Sequence, residues 1–408
     1  MSDYKVIDGG VLAAKDFVAA AINCGIKKDK LDLVMIHSLR AAAAAATLTR
    51  NKFRAAPTQV TEEVVSDGNA QTIIANSGNA NCATGQQGLV DAWRMAALAG
   101  LATGVEATEV VVCSTGHIGD AMPMDKIVAG ISQLGGMLSP DNAELAARGI
   151  MTTDTHPKSC AAEFEVQGVI CRLGAIAKGA GMIHPNMATM LCFVCTDVAI
   201  DSALLRITLK WCVERSFNCI SVDGDMSTND TVAILANGAA ENPTIVYPED
   251  EGYASFRAAL LHVCQDLAKQ IAFDGEGATK AVTIEVKGAR SFEQARAMGK
   301  AIANYNLVKA MLYGMDFNWG RVAAAMGASL MDFKPEDVSI EMQGIAAWRK
   351  GNPVPFDLAT AREALKSEDI RIRVNLGQGD AEATVWTCDI TPEYVSFNAE
   401  YESAEPTS

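Results

Sequence analysis

Apolar and polar positions along this chain follow two different periods. A repeat near 3.6 residues runs through residues 86–104, 201–217 and 253–271 and predicts three amphipathic helices. A period of two marks residues 281–287, 370–376 and 382–390 as strands, and the Gly377-Gln-Gly-Asp380 turn predicts that the last two pair as a hairpin. Ser291-Phe-Glu-Gln294 has the form of a capping box and predicts a helix from there to about Tyr313. Two apolar runs read as buried strands: residues 190–196, and the stretch from Val110 that breaks into a small-residue turn at Ser114-Thr115-Gly116. Interleaved helices and strands predict an α/β fold. No low-complexity linker marks a domain boundary, which is placed near residue 281, and the alanine run 41–46 reads as part of a compact segment.

Length and charge narrow the function classes. The 408 residues are enough for two domains and a large core. With 34 basic against 49 acidic side chains, the formal charge of −15 argues against a nucleic-acid or anionic-membrane partner, so an anionic substrate would need a local positive pocket. The start lacks a basic segment followed by an apolar core, and no apolar stretch approaches the length of a membrane span, so the expected location is the cytoplasm. The eleven cysteines are scattered and are expected to be reduced and mostly buried. Cys192 and Cys195 are the one close pair, yet residues three apart on a strand face opposite ways, and no second Cys/His pair completes a zinc site. Asp223-x-Asp225-x-Ser227 fails as a calcium loop, because Thr228 takes the glycine position and Ile234 the bidentate glutamate position. No metal or cofactor is predicted.

The chemistry concentrates in Lys178-Gly-Ala-Gly-Met-Ile-His-Pro-Asn-Met-Ala188-Thr189-Met-Leu191. A glycine-rich, proline-kinked loop here precedes a threonine that opens an apolar run. A threonine hydroxyl needs a base, and the α-amine of the same residue, with an ordinary pKa of about 7.7 to 8.0, can serve once the preceding peptide bond is cut. Gly179, Gly181 and Pro185 permit backbone angles that bring the Thr189 hydroxyl to the Ala188 carbonyl, whose small side chain leaves it open to attack. Local composition alone favours an ordinary turn into a strand.

The wider chain favours the nucleophile. Alongside this loop, Asn76-Ser-Gly-Asn-Ala-Asn81, Ser114-Thr-Gly-His-Ile-Gly119, Met151-Thr-Thr-Asp-Thr155, Asp223-Gly-Asp-Met-Ser-Thr-Asn-Asp-Thr231, Asp274-Gly-Glu-Gly-Ala-Thr-Lys280, Asn318-Trp-Gly-Arg321 and Tyr394-Val-Ser-Phe-Asn-Ala-Glu-Tyr401 occur in order over nearly the whole chain. In these segments the sequence resembles the ornithine acetyltransferase family, the bifunctional glutamate N-acetyltransferases of arginine biosynthesis. The resemblance implies a layered α-β-β-α sandwich with a smaller C-terminal α/β domain, 281–408. It also implies self-cleavage between Ala188 and Thr189 into chains 1–188 and 189–408, assembled as two of each. Thr189 is then the nucleophile and Thr115 and Gly116 the oxyanion hole. Substrate contacts map to Thr155, Lys178, Thr189, Glu276, Asn398 and Ser403, with Thr153 an alternative to Thr155.

The implied reaction moves an acetyl group from N-acetylornithine to glutamate through acetyl-Thr189, with acetyl-CoA open as a second donor. Charge fits it: Lys178 suits a substrate carboxylate and Glu276 a substrate amine. Two alternatives stand beside this reading, a self-processing hydrolase that passes the acyl group to water and a non-catalytic binding protein of the same fold. His184, five residues before Thr189, is expected to shape the loop, because a nucleophile with its own amine needs no imidazole. Departures from the family pattern are His117, Asn304-Tyr-Asn306, the alanine run and the tail after Ser403.

Overall fold

A computed structural model describes residues 3–184 and 190–399. Ala188, Thr189 and Ser403 therefore lie outside the described residues. The chain is a mixed α/β protein with three sheets. It divides into two compact units, one of residues 1–179, 186–218 and 226–267 and the other of residues 180–185, 219–225 and 268–408.

The first unit carries two of the sheets. A six-stranded sheet has the order Tyr4–Ile7, Lys158–Val166, Val169–Lys178, Leu191–Thr196, Thr231–Ala236 and Ala43–Leu48. A four-stranded sheet has the order Phe17–Ile22, Leu33–Ser38, Thr72–Asn79 and Val110–His117. One hydrophobic cluster takes Ile36, Ile73 and Val111 from the four-stranded sheet and Ala44, Ile176, Phe193 and Leu235 from the six-stranded one. The same cluster receives Met95 and Ala99 of the helix Gly85–Thr103 and Ile127 and Ile131 of the helix Met124–Leu134. Strands such as Leu191–Thr196 are buried at every position, which explains why they read as unbroken apolar runs rather than alternating ones. The alanine run becomes the edge strand Ala43–Leu48, antiparallel to Thr231–Ala236.

Helix boundaries follow local chemistry. Asp201 caps the helix Ser202–Glu214 by accepting from the Ala203 and Leu204 N–H groups at 3.0 and 3.1 Å. Gly104, at φ +78°, closes the helix Gly85–Thr103 in the left-handed conformation that glycine adopts without strain.

The second unit holds the other six-stranded sheet, ordered Asn352–Pro353, Ile345–Arg349, Ser339–Met342, Asp369–Asn375, Ala281–Ala289 and Ala381–Cys388. The predicted hairpin is absent: Ala281–Ala289 lies between its two arms, parallel to Asp369–Asn375 and antiparallel to Ala381–Cys388. The connecting turn bonds to the inserted strand, Leu376 N–H to Lys287 O at 2.9 Å and Gln378 N–H to Gly288 O at 2.7 Å. The helix predicted from Ser291 to Tyr313 is likewise two helices, Phe292–Ala303 and Asn306–Tyr313. Its start is as expected, with the Ser291 hydroxyl accepting from Gln294 N–H at 3.2 Å. It breaks where Tyr305 turns extended, at φ −77° and ψ 109°, beside an Asn304 whose amide is bonded to other parts of the same unit.

Candidate active site

The first unit gathers charge around the strand ends that flank residue 189. Lys178 is the last residue of its strand and stands opposite Leu191, while Leu191 stands opposite Thr231 on its other side. The Lys178 side chain is 2% exposed, and its ammonium donates to the Thr115 hydroxyl at 3.3 Å. Asp154 holds the other flank. Its carboxylate accepts from Lys158 Nζ and Gly179 N–H, both at 2.7 Å, and from Thr152 N–H at 3.0 Å. Burial alone would raise the Asp154 carboxyl, but the charges of Lys178 and Lys158, with the Gly179 N–H, outweigh it and hold the pKa at about 2.

Residues 227–231 tie this cluster together. Asp230 accepts from Met190 N–H at 3.0 Å, and Thr231 N–H donates to Met190 O at 3.1 Å, so both backbone polar groups of Met190 are pinned. The Asn229 amide donates to Ala80 O at 2.6 Å and Ser114 O at 2.8 Å, which fixes the backbone just before Thr115. Burial pushes the Asp230 carboxyl well above the usual range, despite the Met190 N–H and the nearby Lys178 charge. Its Oδ2 has no hydrogen-bond partner among the described residues.

Thr115 and Gly116 sit within the strand Val110–His117 and not in a turn after it, correcting the sequence expectation. The pairing with Thr72–Asn79 nonetheless becomes irregular opposite Gly116, between Gly78 and Asn79. Gly116 adopts φ +134°, and a Cβ there would come within 2.3 Å of the Gly78 carbonyl carbon, so both conformation and space require glycine. A strand distorted in this way can present a hydroxyl and a backbone N–H outside the regular ladder.

Thr155 is exposed and pairs with His156 Nδ1 at 2.9 Å. His117, half-buried after the distorted glycine, lies 3.2 Å from Asp120.

The second unit contributes a separate polar group. Asn398, on the helix Pro392–Ala399, donates to Glu276 Oε2 at 3.0 Å. Gly181 makes room for that carboxylate, since a Cβ at 181 would lie 2.3 Å from it. Asp223 orders the neighbouring backbone by accepting from Met182 and Ile183 N–H at 2.6 and 2.9 Å, and the Tyr394 hydroxyl donates to it at 3.3 Å. His184 bonds through Nδ1 to the Asn304 amide at 2.9 Å and the Ser221 hydroxyl at 3.2 Å. Burial and the Lys300 charge lower its pKa to about 4, which leaves the ring neutral at physiological pH.

The structure thus brings Lys178 to Thr115 in one unit and Asn398 to Glu276 in the other. Sequence reasoning assigned no role to Asp154, Lys158, Asn229 or Asp230, although three of the four lie in segments already notable for their order. Charged or amide side chains inside such segments were the available signal. What they bond to depends on sheet pairing between distant segments. Among the described residues no cluster of His, Cys, Asp and Glu could hold a metal, and no helix is long and apolar enough to cross a membrane.

Comparison with known proteins covers nearly all of this framework. A model described as the ArgJ family matches residues 18–403. The arginine biosynthesis bifunctional protein ArgJ of Symbiobacterium thermophilum is 47% identical over 396 residues, spanning 96% of this chain and 98% of that protein. Its counterpart of the same name from Caldanaerobacter subterraneus subsp. tengcongensis is 43% identical over 401 residues, spanning 97% and 99%. Among solved structures, the arginine biosynthesis bifunctional protein argJ of Bacillus halodurans is 42% identical with a TM-score of 0.50, covering 51% of this chain and 98% of its own.

Proposed function

We propose, for a chain that belongs to the ArgJ family and is an arginine-biosynthesis acetyltransferase, that it cuts itself before Thr189 and uses that threonine to carry the acetyl group. One observation supports this most directly: Asn229 and Asp230, adjacent in sequence, anchor both the backbone before Thr115 and the peptide after residue 189. A nucleophile and its oxyanion donors must keep a fixed separation, and two residues of one loop provide it.

In the cleavage step the Thr189 hydroxyl attacks the Ala188 carbonyl carbon, the C–N bond breaks as the ester forms and frees the Thr189 amine, and water then hydrolyses the ester to the Ala188 carboxylate and the Thr189 hydroxyl. That amine then takes the hydroxyl proton as Thr189 attacks the acetyl carbonyl of N-acetylornithine. The tetrahedral oxyanion is stabilised by the Thr115 hydroxyl and the Gly116 N–H, and it collapses as the ornithine nitrogen leaves with the proton. Glutamate's amine attacks the acetyl-Thr189 ester in the second half-reaction, giving N-acetylglutamate and restoring the hydroxyl.

Lys178 places its positive charge on Thr115, where the oxyanion develops, and this makes the hydroxyl a stronger donor. The Asp154 carboxylate, bonded to Lys158, holds Lys178 by charge. Glu276, oriented by Asn398, is assigned to the substrate amine, Thr155 to a peripheral substrate contact, and Ser403 to a further one. The finer fold is proposed as an α-β-β-α sandwich with a smaller C-terminal domain, the assembly as two chains of each kind, and the setting as the cytoplasm. Acetyl-CoA is a candidate second donor. The Bacillus halodurans chain is about half as long as this one, as a fragment on either side of the proposed cut would be.

Intact mass and amino-terminal sequencing of the purified protein test the cleavage. Fragments of 188 and 220 residues, the second beginning at Thr189, are expected, and one uncut chain for Thr189→Ala. A cut that persists in that variant would assign it to a contaminating protease. Incubation with N-acetylornithine alone should then add one acetyl group to the fragment beginning at Thr189, whereas free acetate in place of N-acetylglutamate in the complete reaction would mark a hydrolase.

A further inference from the structure

Among the described residues each unit has a cleft lined by basic residues, and the two differ in how their charges are met. In the second unit a cleft of about 450 Å³ is lined by Arg371 and Arg373. Both are neutralised: Arg371 lies 3.2 Å from Glu285, and Arg373 lies 3.0 Å from Glu285 and 2.9 Å from Glu341. In the first unit a cleft of about 780 Å³ is lined by Arg50, Lys52, Arg54 and Arg206, with Glu62 as its one acid. Arg54 already engages Glu62 at 2.8 Å and Thr58 O at 3.1 Å. Its Nε is buried without a partner among the described residues. Arg50, Lys52 and Arg206 are exposed, and their side chains make no ion pair or hydrogen bond among the described residues.

This concentration runs against the composition of the protein. Acidic side chains outnumber basic ones by 49 to 34, so a basic side chain placed without preference would meet carboxylates more often than other cations. Here three unpaired cations and a fourth with one pairing line a single concavity, where their mutual repulsion is unfavourable and their field is focused by the walls. The size falls within the range of about 300 to 1,000 Å³ that small-molecule sites occupy. An acidic surface elsewhere disfavours a long polyanion such as nucleic acid and favours a compact one that fits the cleft.

We propose that this cleft binds a compact polyphosphate-bearing anion of nucleotide size. Arg50, Lys52 and Arg206 supply the charge-assisted hydrogen bonds to its phosphate oxygens, and Arg54, braced by Glu62, forms the wall. Two sources share this chemistry, free polyphosphates or nucleotides and a nucleotide-linked acyl carrier. Only the carrier arm draws on the acetyl transfer proposed above, and that transfer is measured separately.

Isothermal titration of the full-length protein with sodium tripolyphosphate, ATP and coenzyme A tests the site. Saturable binding is expected, with affinity falling as salt shortens the screening length. The Arg50→Gln/Lys52→Gln/Arg206→Gln triple variant should bind at least about tenfold more weakly, a loss of about 1.4 kcal/mol or more. All three side chains are exposed, so its transfer from N-acetylornithine to glutamate without added anion should equal that of the unsubstituted protein. Arg371→Gln should leave anion binding unchanged. Equal affinity for the three anions would assign the site to phosphate charge alone, and a coenzyme A affinity about tenfold higher would assign it to the acyl carrier. Absence of saturable binding, equal binding by the triple variant, or a loss that follows Arg371→Gln would each overturn the proposal.

Discussion

The two candidate groups handle charge in opposite ways. Around Lys178 in the first unit the charges are buried and interact with one another, with the Lys158 and Asp154 side chains 0% exposed. Around Glu276 in the second unit, a half-buried carboxylate is held by the amide of an exposed asparagine. In the first group each side chain is there for its neighbours as much as for substrate, so stability and chemistry are inseparable. In the second, a carboxylate can change its ligand without leaving an opposite charge stranded. The first arrangement suits chemistry common to every substrate, and the second suits telling one amino acid from another.

The hardest test of this contrast is to remove the hub of the buried group. Asp154→Ala removes a buried carboxylate that interacts with both Lys158 and Lys178 and should destabilise the protein by about 3 to 5 kcal/mol, read as a lowered midpoint in denaturant unfolding. The same carboxyl predicts a pH effect. Its folded pKa is depressed to about 2, so its contribution is present above the ordinary carboxylate value of 3.8 and is lost as pH falls toward about 2. A variant that unfolds at the same midpoint would show that Asp154 is not the hub.

Lys178→Met separates the two uses of that charge. Loss of oxyanion support should lower kcat by about 10²- to 10³-fold, or roughly 3 to 4 kcal/mol, with smaller changes in KM. A variant whose KM rises while kcat holds would instead assign Lys178 to the substrate carboxylate. Processing must be checked first, since Lys178 and residue 189 lie on the same segment.

Glu276→Gln probes the other group. KM for N-acetylornithine should rise about tenfold, roughly 1.4 kcal/mol, with less change for glutamate and with stability within about 0.5 kcal/mol. Equal penalties for both substrates would recast Glu276 as a residue that shapes its loop. The smallest effect belongs to His184. Its folded pKa, about 4, lies below the ordinary 6.5, so folding favours the neutral ring and stability should decline as pH falls between those values. His184→Asn should flatten that decline in thermal melts taken from pH 7 to 4.

Residue periodicity located the elements better than their partners. The stretches 370–376 and 382–390 are strands nearly as read, but the short glycine-rich link between them predicts a hairpin, whereas Ala281–Ala289 separates its arms. No local pattern encodes a strand inserted from eighty residues earlier. The break at Asn304 escaped for a related reason, since its amide bonds to Ser221 and His184, both remote in sequence. Lys178, Thr115, Glu276 and Asn398 stand out in the sequence as candidates through the segments that contain them, and the structure pairs Lys178 with Thr115 and Asn398 with Glu276. Asp154 and Asp230 were visible only as members of such segments, because burial and hydrogen-bond partners arise once distant strands align.

That inserted strand also sets the order in which the second unit can assemble during synthesis. Ala281–Ala289 leaves the ribosome before both its neighbours, Asp369–Asn375 and Ala381–Cys388, which come from near the end of the chain. While the intervening residues are made it has unsatisfied hydrogen-bonding edges on both sides, a template for pairing with other nascent chains. Its sequence carries Glu285 and Lys287 at alternate positions among the valines and isoleucine, charges of the kind that disfavour such pairing.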